Sequence, residues 1–272
     1  MEIGCFYSNI MAGVKEKGMT PEEALQIAAD HGIRALDVAY TTIEQMTPEG
    51  ILKQVKGCEM HISSVFAFFG CDVCTKAGYE EALEKMKAAM RLAKAAESIH
   101  FMPVPQKPMS LREEDQELFV AGTRKLFADL TAYGEEIGIQ VIFENISRRD
   151  LPYGTCEDVE WLLEHNPDLG FAYDSGNFPL VGIDELEAAV RFADRTVYVH
   201  LKDLKVVEQS NLVRDGIAYD SLELGGGYLK LKEVLAFLKR KGYEGTVVIE
   251  INSDPNIFDR AMKSAEFLKS VF

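Results

Sequence analysis

The chain has 272 residues, of which 47% are hydrophobic, and its 29 lysine and arginine residues against 44 aspartate and glutamate residues give a formal net charge of −15. This length suits one α/β barrel of about 250 residues, and the acidic charge argues against nucleic acid as a partner because it would repel phosphates. No apolar run approaches the roughly 20 residues of a membrane span, so we expect no membrane partner. The segment Met1–Tyr7 reads as a strand rather than a signal peptide, and we expect a cytoplasmic enzyme.

Short β-branched and aromatic runs alternate with longer amphipathic segments, which predicts repeated β-α units and a parallel sheet. The expected strands are 3–7, 33–39, 59–67, 98–103, 139–144, 169–174, 196–201 and 246–251. The expected helices are 20–31, 47–56, 78–96, 111–137, 155–165, 183–193, 229–241 and 255–270, with a long loop after the seventh strand. Eight pairs in this order predict a single (β/α)8 TIM barrel, with residues 1–272 as one domain.

Side chains that can bind a metal ion end the last four predicted strands, at Glu144, Asp174, His200 and Glu250. Neighbouring strands of a closed parallel barrel lie about 4.8 Å apart, so residues at their matching ends converge on one small volume. The period of two along a strand places Ile142, Ala172, Tyr198 and Val248 in the barrel interior beneath them. The sequence therefore predicts one active site at this end of the barrel.

Three carboxylates and one imidazole form an oxygen-rich set of ligands for one divalent metal ion. Such a set favours Mn²⁺ or Mg²⁺ and tolerates Co²⁺, while Zn²⁺ ranks second because the thiolates of structural zinc sites are missing. A divalent ion can stabilise the enediolate that forms when a proton is removed next to a carbonyl, and two carboxylates can remove and return that proton.

The segments that end strands five to eight resemble those of a known family: Phe143-Glu144-Asn145, Asp174-Ser175-Gly176-Asn177, His200-Leu201-Lys202-Asp203 and Ile249-Glu250. The family is that of the xylose isomerase-like barrels, which includes ketose 3-epimerases, hydroxypyruvate isomerases, inosose dehydratases and the endonuclease IV branch. The resemblance implies that Glu144, Asp174, His200 and Glu250 are metal ligands, and that Glu144 and Glu250 also act as acid and base.

The resulting hypothesis is a metal-dependent isomerase or epimerase acting on a sugar, a sugar phosphate or a hydroxy-ketone. The alternatives are a dehydratase of the inosose or dehydroshikimate type and a non-catalytic barrel that binds a metabolite. Two departures from the ketose 3-epimerases weaken that specific assignment, since Asn177 stands where many of them have histidine and Val206 where they commonly have arginine. Cleavage of abasic DNA would need more histidine ligands and a basic groove.

Three further residues are candidates for binding the substrate, namely Asn177, Lys202 and Tyr7. Lys202 has an alternative role as an ion-pair partner of Asp203. The glycines in Leu224–Tyr228 read equally well as an anion-binding turn and as a flexible connection. Cys71 and Cys74 have zinc-site spacing without a second pair, which favours a structural or incidental role. We expect a small sugar or polyol-derived substrate, and a homo-oligomer is compatible with the sequence.

Overall fold

A closed barrel of eight parallel strands forms the centre of the molecule, which confirms the predicted (β/α)8 TIM barrel. The computed structural model describes residues 1–70, 72–252 and 255–272. Its strands are β1 (Glu2–Phe6), β2 (Ala35–Ala39), β3 (His61–Gly70), β4 (His100–Gln106), β5 (Gln140–Glu144), β6 (Gly170–Asp174), β7 (Thr196–Leu201), β8 (Asp203–Val207), β9 (Leu212–Arg214), β10 (Ile217–Leu222) and β11 (Thr246–Ile249). Around the barrel the order is β1-β11-β7-β6-β5-β4-β3-β2.

Helices follow the barrel strands and surround them. They are α1 (Tyr7–Lys17), α2 (Pro21–Asp30), α3 (Tyr40–Met46), α4 (Pro48–Lys56), α5 (Lys76–Ala95), α6 (Gln116–Ile137), α7 (Cys156–His165), α8 (Glu185–Phe192), α9 (Leu231–Arg240) and α10 (Ile257–Val271). Short 3-10 helices occupy Glu113–Asp115, Pro179–Val181 and Ala193–Arg195. Among the described residues, no helix combines the length and apolar character that crossing a bilayer requires.

Side-chain caps begin two of the predicted helices and are missing from the two helices that the sequence analysis did not predict. Helix α2 begins with a capping box in which Thr20 and Glu23 bond each other's backbone, and Thr47 caps α4. Helices α1 and α3, by contrast, follow their strands directly and have no side-chain cap. Neither helix was among the predicted elements, and each begins at the residue directly after its strand.

The interior of the barrel follows the predicted alternation along the strands. A buried cluster inside the barrel contains Met102, Val104, Ile142, Ala172, Tyr198 and Val248. The intervening residues Phe143, Val199 and Ile249 belong to the larger core between the barrel and the helices. Residues that end these strands therefore stand above a filled interior, so a ligand can reach them only from the carboxyl end of the barrel.

A small antiparallel sheet replaces the long loop that we predicted after strand seven. Strands β8, β10 and β9 pair in that order, and Asp215 and Gly216 connect β9 to β10 with positive φ angles of 50° and 80°. An Asp-Gly pair with both residues at positive φ is the preferred two-residue hairpin connection, because its twist matches that of the strands. This local signal was present in the sequence, and the long loop that we predicted contains a sheet that we did not predict.

The carboxylate of Asp203 holds the glycine segment that follows this sheet. It accepts hydrogen bonds from the backbone N–H groups of Leu204, Gly225, Gly227 and Leu229 at 2.9 to 3.3 Å. A Cβ atom at Gly227 would lie 2.1 Å from Asp203 Oδ1, so only glycine fits there. The glycine amides thus bind an anion that belongs to the chain, which makes this segment a structural connection.

We expect Asp203→Ala to lower the free energy of unfolding by about 3 kcal/mol, because four backbone donors lose one shared acceptor. Urea unfolding followed by circular dichroism measures the change. Glu208→Ala, at an exposed position just after β8, is the matched control and should stay within about 0.5 kcal/mol of the parent protein. Equal stability of the two variants would contradict the structural role of Asp203.

Candidate active site

Glu144, Asp174, His200 and Glu250 meet at the carboxyl end of the barrel. One ligand atom from each of these side chains lies within 4.8 Å of the corresponding atom of every other. Asp174, His200 and Glu250 are buried and Glu144 is half-buried. The strand register accounts for the grouping, since Asp174 pairs with His200 and Glu144 with Ala172. The residues that the sequence placed at strand ends therefore form one cluster.

Asn145, directly after β5, ties two of these strand ends together. Its side-chain amide donates to the carbonyl of Asp174 at 3.1 Å, and its side-chain oxygen accepts from the amide of Asp174 at 2.8 Å. The Asp174 Oδ1 atom in turn accepts from the backbone of Gly176 and Asn177 at 2.9 and 2.6 Å. These bonds fix the aspartate so that its second oxygen, Oδ2, points toward the cluster.

Lys202 enters the cluster beside Asp174. Its Nζ lies 3.2 Å from Asp174 Oδ2 and 2.9 Å from Glu250 Oε1, and it donates to Asn177 Oδ1 at 3.4 Å. Gly176 provides the space, because a Cβ atom there would lie 2.6 Å from Lys202 Cβ. Of the two roles predicted for Lys202, the structure excludes a simple pair with Asp203, whose carboxylate binds the glycine segment instead.

Asp37, in the middle of β2, is a site residue that the sequence analysis missed. Its Oδ2 lies 2.8 Å from His200 Nε2, and its Oδ1 accepts from the hydroxyls of Tyr198 and Ser63. The pairing of β2 with β3 shifts register after Leu36, which leaves Ser63 free to turn its hydroxyl toward Asp37. The sequence feature that could have revealed Asp37 as a site residue is a carboxylate within the otherwise apolar run 35–39.

The bond to Asp37 determines which nitrogen of His200 faces the cluster. With Nε2 directed at Asp37, Nδ1 lies 2.7 Å from Glu144 Oε1 and 3.4 Å from Glu250 Oε2. Metal-binding histidines usually donate their other ring N–H to a carboxylate or carbonyl, which fixes the tautomer and the ring orientation. His200 therefore has the geometry of a ligand that binds through Nδ1. The ring of Phe6 packs against it edge-on, 5.2 Å between centroids.

The charges in this buried cluster influence one another strongly. Burial raises the pKa of Asp174 to about 8, with Glu144 and Glu250 adding to the rise and Lys202 opposing it. Burial also acts to raise the pKa of Glu250, but Lys202 and His200 together lower it to about 2. Burial lowers the pKa of His200, yet Glu144 and Asp37 raise it well above the usual range. Added positive charge would stabilise the ionised carboxylates of such a cluster.

Two buried oxygens of the cluster make no hydrogen bond, and they provide a test of whether the site fits a metal ion. They are Asp174 Oδ2, with Lys202 Nζ at 3.2 Å as an ion-pair neighbour, and Glu250 Oε2, with His200 Nδ1 at 3.4 Å. A buried carboxylate oxygen without a donor is costly unless a cation satisfies it. Together with Glu144 and His200 Nδ1, these atoms supply three carboxylates and one imidazole at the separations expected around one ion. The residues therefore fit a divalent metal.

Tyr7 does not take the position that we predicted for it. Strand β1 ends at Phe6, and Tyr7 begins helix α1, which turns its side chain toward α3 and α4. There its hydroxyl donates to Gln54 Oε1 at 2.7 Å. The side chain that contacts His200 from this strand is that of Phe6, which also packs against Phe66. The prediction placed the strand end one residue too late.

The Cys71–Cys74 pair lies partly outside the described residues, since Cys71 is not among them. Cys74 is half-buried, and its thiol donates to the Asp115 carbonyl at 3.8 Å. Burial raises the pKa of the Cys74 thiol, and the nearby Asp72 adds to the rise. A raised pKa disfavours the thiolate that metal binding or redox chemistry requires.

A family model described as the xylose isomerase-like TIM barrel matches residues 3–271. The chain belongs to this family. The inosose dehydratase of Geobacillus thermodenitrificans is 27% identical over 180 residues, which cover 61% of this chain and 58% of that protein. The chain thus spans less than two thirds of the length of this relative.

Solved structures share the fold over the full length of the chain. The IolI protein, described with a bound zinc atom, has a TM-score of 0.77 at 16% identity and covers 100% of this chain and 99% of its own. A D-tagatose 3-epimerase-like protein has a TM-score of 0.76 at 20% identity, with coverages of 100% and 97%. At these identities the likeness shows the fold alone. The family model therefore shows the xylose isomerase-like barrel, and the four residues of the cluster fit a divalent metal.

We expect Asp37→Asn to weaken binding of a divalent metal about 10- to 100-fold, because His200 loses the carboxylate that orients its ring. Competition between the protein and a fluorescent chelator for Mn²⁺ measures the affinity. Asp194→Asn makes the same chemical change at an exposed residue paired with Lys241 and should leave the affinity unchanged. If Asp37→Asn keeps its fold by circular dichroism and binds Mn²⁺ with unaltered affinity, Asp37 does not orient His200 for metal binding.

Proposed function

We propose that this chain is a divalent-metal-dependent enzyme that removes and returns a proton at a carbon next to the ketone of a sugar or polyol. The observation that carries the proposal is the cluster of three carboxylates and one histidine, with buried oxygens of Asp174 and Glu250 that make no hydrogen bond. Residues with perturbed pKa values in such a cluster are typical of catalytic sites.

In this proposal Glu144, Asp174, His200 and Glu250 hold one divalent ion. When bound, the ion acts as a Lewis acid for the negative charge that develops as the proton leaves. The three carboxylates favour Mn²⁺ or Mg²⁺, while Co²⁺ and Zn²⁺ are also compatible with the ligand set. The zinc atom of the IolI structure is in keeping with a divalent ion in this fold.

Glu144 and Glu250 are the proposed proton carriers. Glu144 ends β5 and Glu250 directly follows β11, and these strands are separated in the barrel by β6 and β7, so the two carboxylates approach the centre of the site from different sides. A carboxylate on each side of a substrate can take the proton from one face and return one to the other, or move it between adjacent carbons. Asn177 and Lys202 stand beside them as hydrogen-bond donors to hydroxyl groups of the substrate.

This geometry supports an isomerase or epimerase as the first reaction class. A dehydratase is the second candidate, and two observations favour it: the similarity to inosose dehydratase, and Asn177, which cannot supply the titratable proton of a histidine. Both classes begin with the same proton abstraction. The net charge of −15 supports a small molecule rather than a nucleic acid as the ligand.

Proton exchange with solvent tests the shared first step. We expect Mn²⁺-loaded protein in D₂O to incorporate deuterium next to the ketone of its substrate, observed by NMR over a panel of ketoses and inososes. Chelator treatment should abolish exchange, and Mn²⁺, Co²⁺ or Mg²⁺ should restore it. Full exchange by protein shown to be metal-free by elemental analysis would contradict the mechanism. The product spectrum separates epimer, isomer and dehydrated compound.

We expect Glu250→Gln to lower kcat about 10²- to 10⁴-fold while most of the metal is retained, because the amide keeps an oxygen ligand but cannot accept the proton. Asp174→Ala and His200→Ala should instead lose metal. Elemental analysis and steady-state kinetics distinguish the two effects. Glu244→Gln, at an exposed position before β11, is the matched control. Normal turnover by Glu250→Gln would assign the proton transfer to another residue.

A further inference from the structure

A cavity of about 620 Å³ opens above the cluster, between the ends of the barrel strands and the small sheet β8-β10-β9. Its size falls within the range of about 300–1,000 Å³ that is typical of small-molecule sites. Asn177, Lys202 and Asn252 lie at its base, and Gln209, Ser210 and Asn211 line its wall in the connection between β8 and β9. Amides and hydroxyls therefore dominate this surface, and they match hydroxyl groups because they both donate and accept hydrogen bonds.

Among the described residues that line the cavity, Lys202 is the one cation. Its ammonium group is already paired with the carboxylates of Asp174 and Glu250 and bonded to Asn177. The two carboxylates together carry more negative charge than the single positive charge of the ammonium group can offset. Lys202 therefore has little charge left with which to bind an anionic substituent of a substrate.

The basic groups around the cavity are likewise engaged with the chain itself. Lys205 lies 3.6 Å from Asp220 Oδ2. Arg214 donates from Nε to the Ser147 carbonyl at 3.2 Å and from Nη1 to the Val213 carbonyl at 2.8 Å. The N–H groups of Gly225 and Gly227, which resemble an anion-binding turn in the sequence, bind the carboxylate of Asp203. Each feature that suggested a phosphate site thus has an internal partner.

The groups at the base of the cavity leave no excess positive charge for an anionic ligand. With the divalent ion bound, the ionised carboxylates of Glu144, Asp174 and Glu250 carry three negative charges, which Lys202 and the ion offset, and Asp37 beside His200 adds a fourth. A phosphate ester or a carboxylate would add negative charge beside these residues and beside Asp220, and the one cation among the described lining residues, Lys202, is already paired with carboxylates. Such repulsion costs more in a partly buried site than in water, because screening is weaker there.

We propose that the substrate of this site is an uncharged polyhydroxylated ketone, and neither a phosphate ester nor a carboxylate. The inference rests on the proposed function, which it narrows to one class of substrate. The divalent ion and the two proton carriers act at the ketone, while the amides and hydroxyls of the cavity bind the remaining hydroxyl groups. Selectivity against anions then follows from the absence of an unpaired cation among the described residues of the cavity.

Binding and proton exchange, measured separately on the Mn²⁺-loaded protein, test this inference. The compounds are the four D-2-ketohexoses and an inosose, compared with D-fructose 6-phosphate and 3-dehydroshikimate, which carries a carboxylate. Isothermal titration gives each Kd, and NMR in D₂O gives each rate of exchange. We expect at least one neutral ketone to bind tenfold or more tightly than either charged compound. Equal or tighter binding of a charged compound, or binding of none of the neutral ones, would overturn the inference.

The two readouts separate this inference from the proposed function. A neutral ketone that binds with the expected selectivity but exchanges no proton would refute the catalytic proposal and support the substrate class. Proton exchange that is fastest with D-fructose 6-phosphate or 3-dehydroshikimate would support the catalytic proposal and refute the proposal of an uncharged substrate.

A charge added to the wall of the cavity provides the second test. Gln209→Lys introduces an unpaired cation, and we expect it to reduce the discrimination against D-fructose 6-phosphate at least fivefold. Gln209→Met, which removes the amide without adding charge, is the matched control and should not improve binding of the phosphate. Unchanged discrimination in Gln209→Lys would show that the substrate does not extend along this wall, contrary to the proposal.

Discussion

Closure of the parallel barrel is the constraint on which the site depends. Strand β1 pairs with both β2 and β11, and this closure brings β2 within reach of β7 across the interior. The bond between Asp37 and His200 spans that interior, and an open sheet could not form it. Because side chains fill the barrel below, the carboxylates and Lys202 can gather only at the carboxyl end. Closure therefore determines both where the cluster lies and which way His200 faces.

The cluster concentrates charge in a place where burial makes charge costly. The protein compensates by supplying partners within the same site: Lys202 for Asp174 and Glu250, and Asp37 for His200. Removing one member of such a buried set is more damaging than its individual contacts suggest, because the remaining charges lose their partners. The same arrangement leaves oxygens of Asp174 and Glu250 oriented for a cation, so stability and proposed chemistry use the same groups.

The xylose isomerase-like barrel is a scaffold for several reactions, and the surroundings of the cluster carry the differences between them. Two features surround the cluster in this chain. Asn177 and Lys202 bond each other next to Asp174, and the small sheet β8-β10-β9 forms one wall of the cavity. Asp203 holds the glycine segment that follows that sheet by accepting hydrogen bonds from its amides. Function is therefore argued from these residues rather than from the fold.

The sequence by itself determined the barrel and the convergence of Glu144, Asp174, His200 and Glu250. Both follow from local patterns: the alternation of strand and helix, and the period of two that places strand-end residues on one side. Tertiary structure alone decided the roles of Asp37 and Lys202 and the position of Tyr7. Asp37 and His200 are 163 residues apart, and no local pattern records a bond over that separation. Such contacts exist only once the barrel closes, whereas strands and their ends are already specified by neighbouring residues.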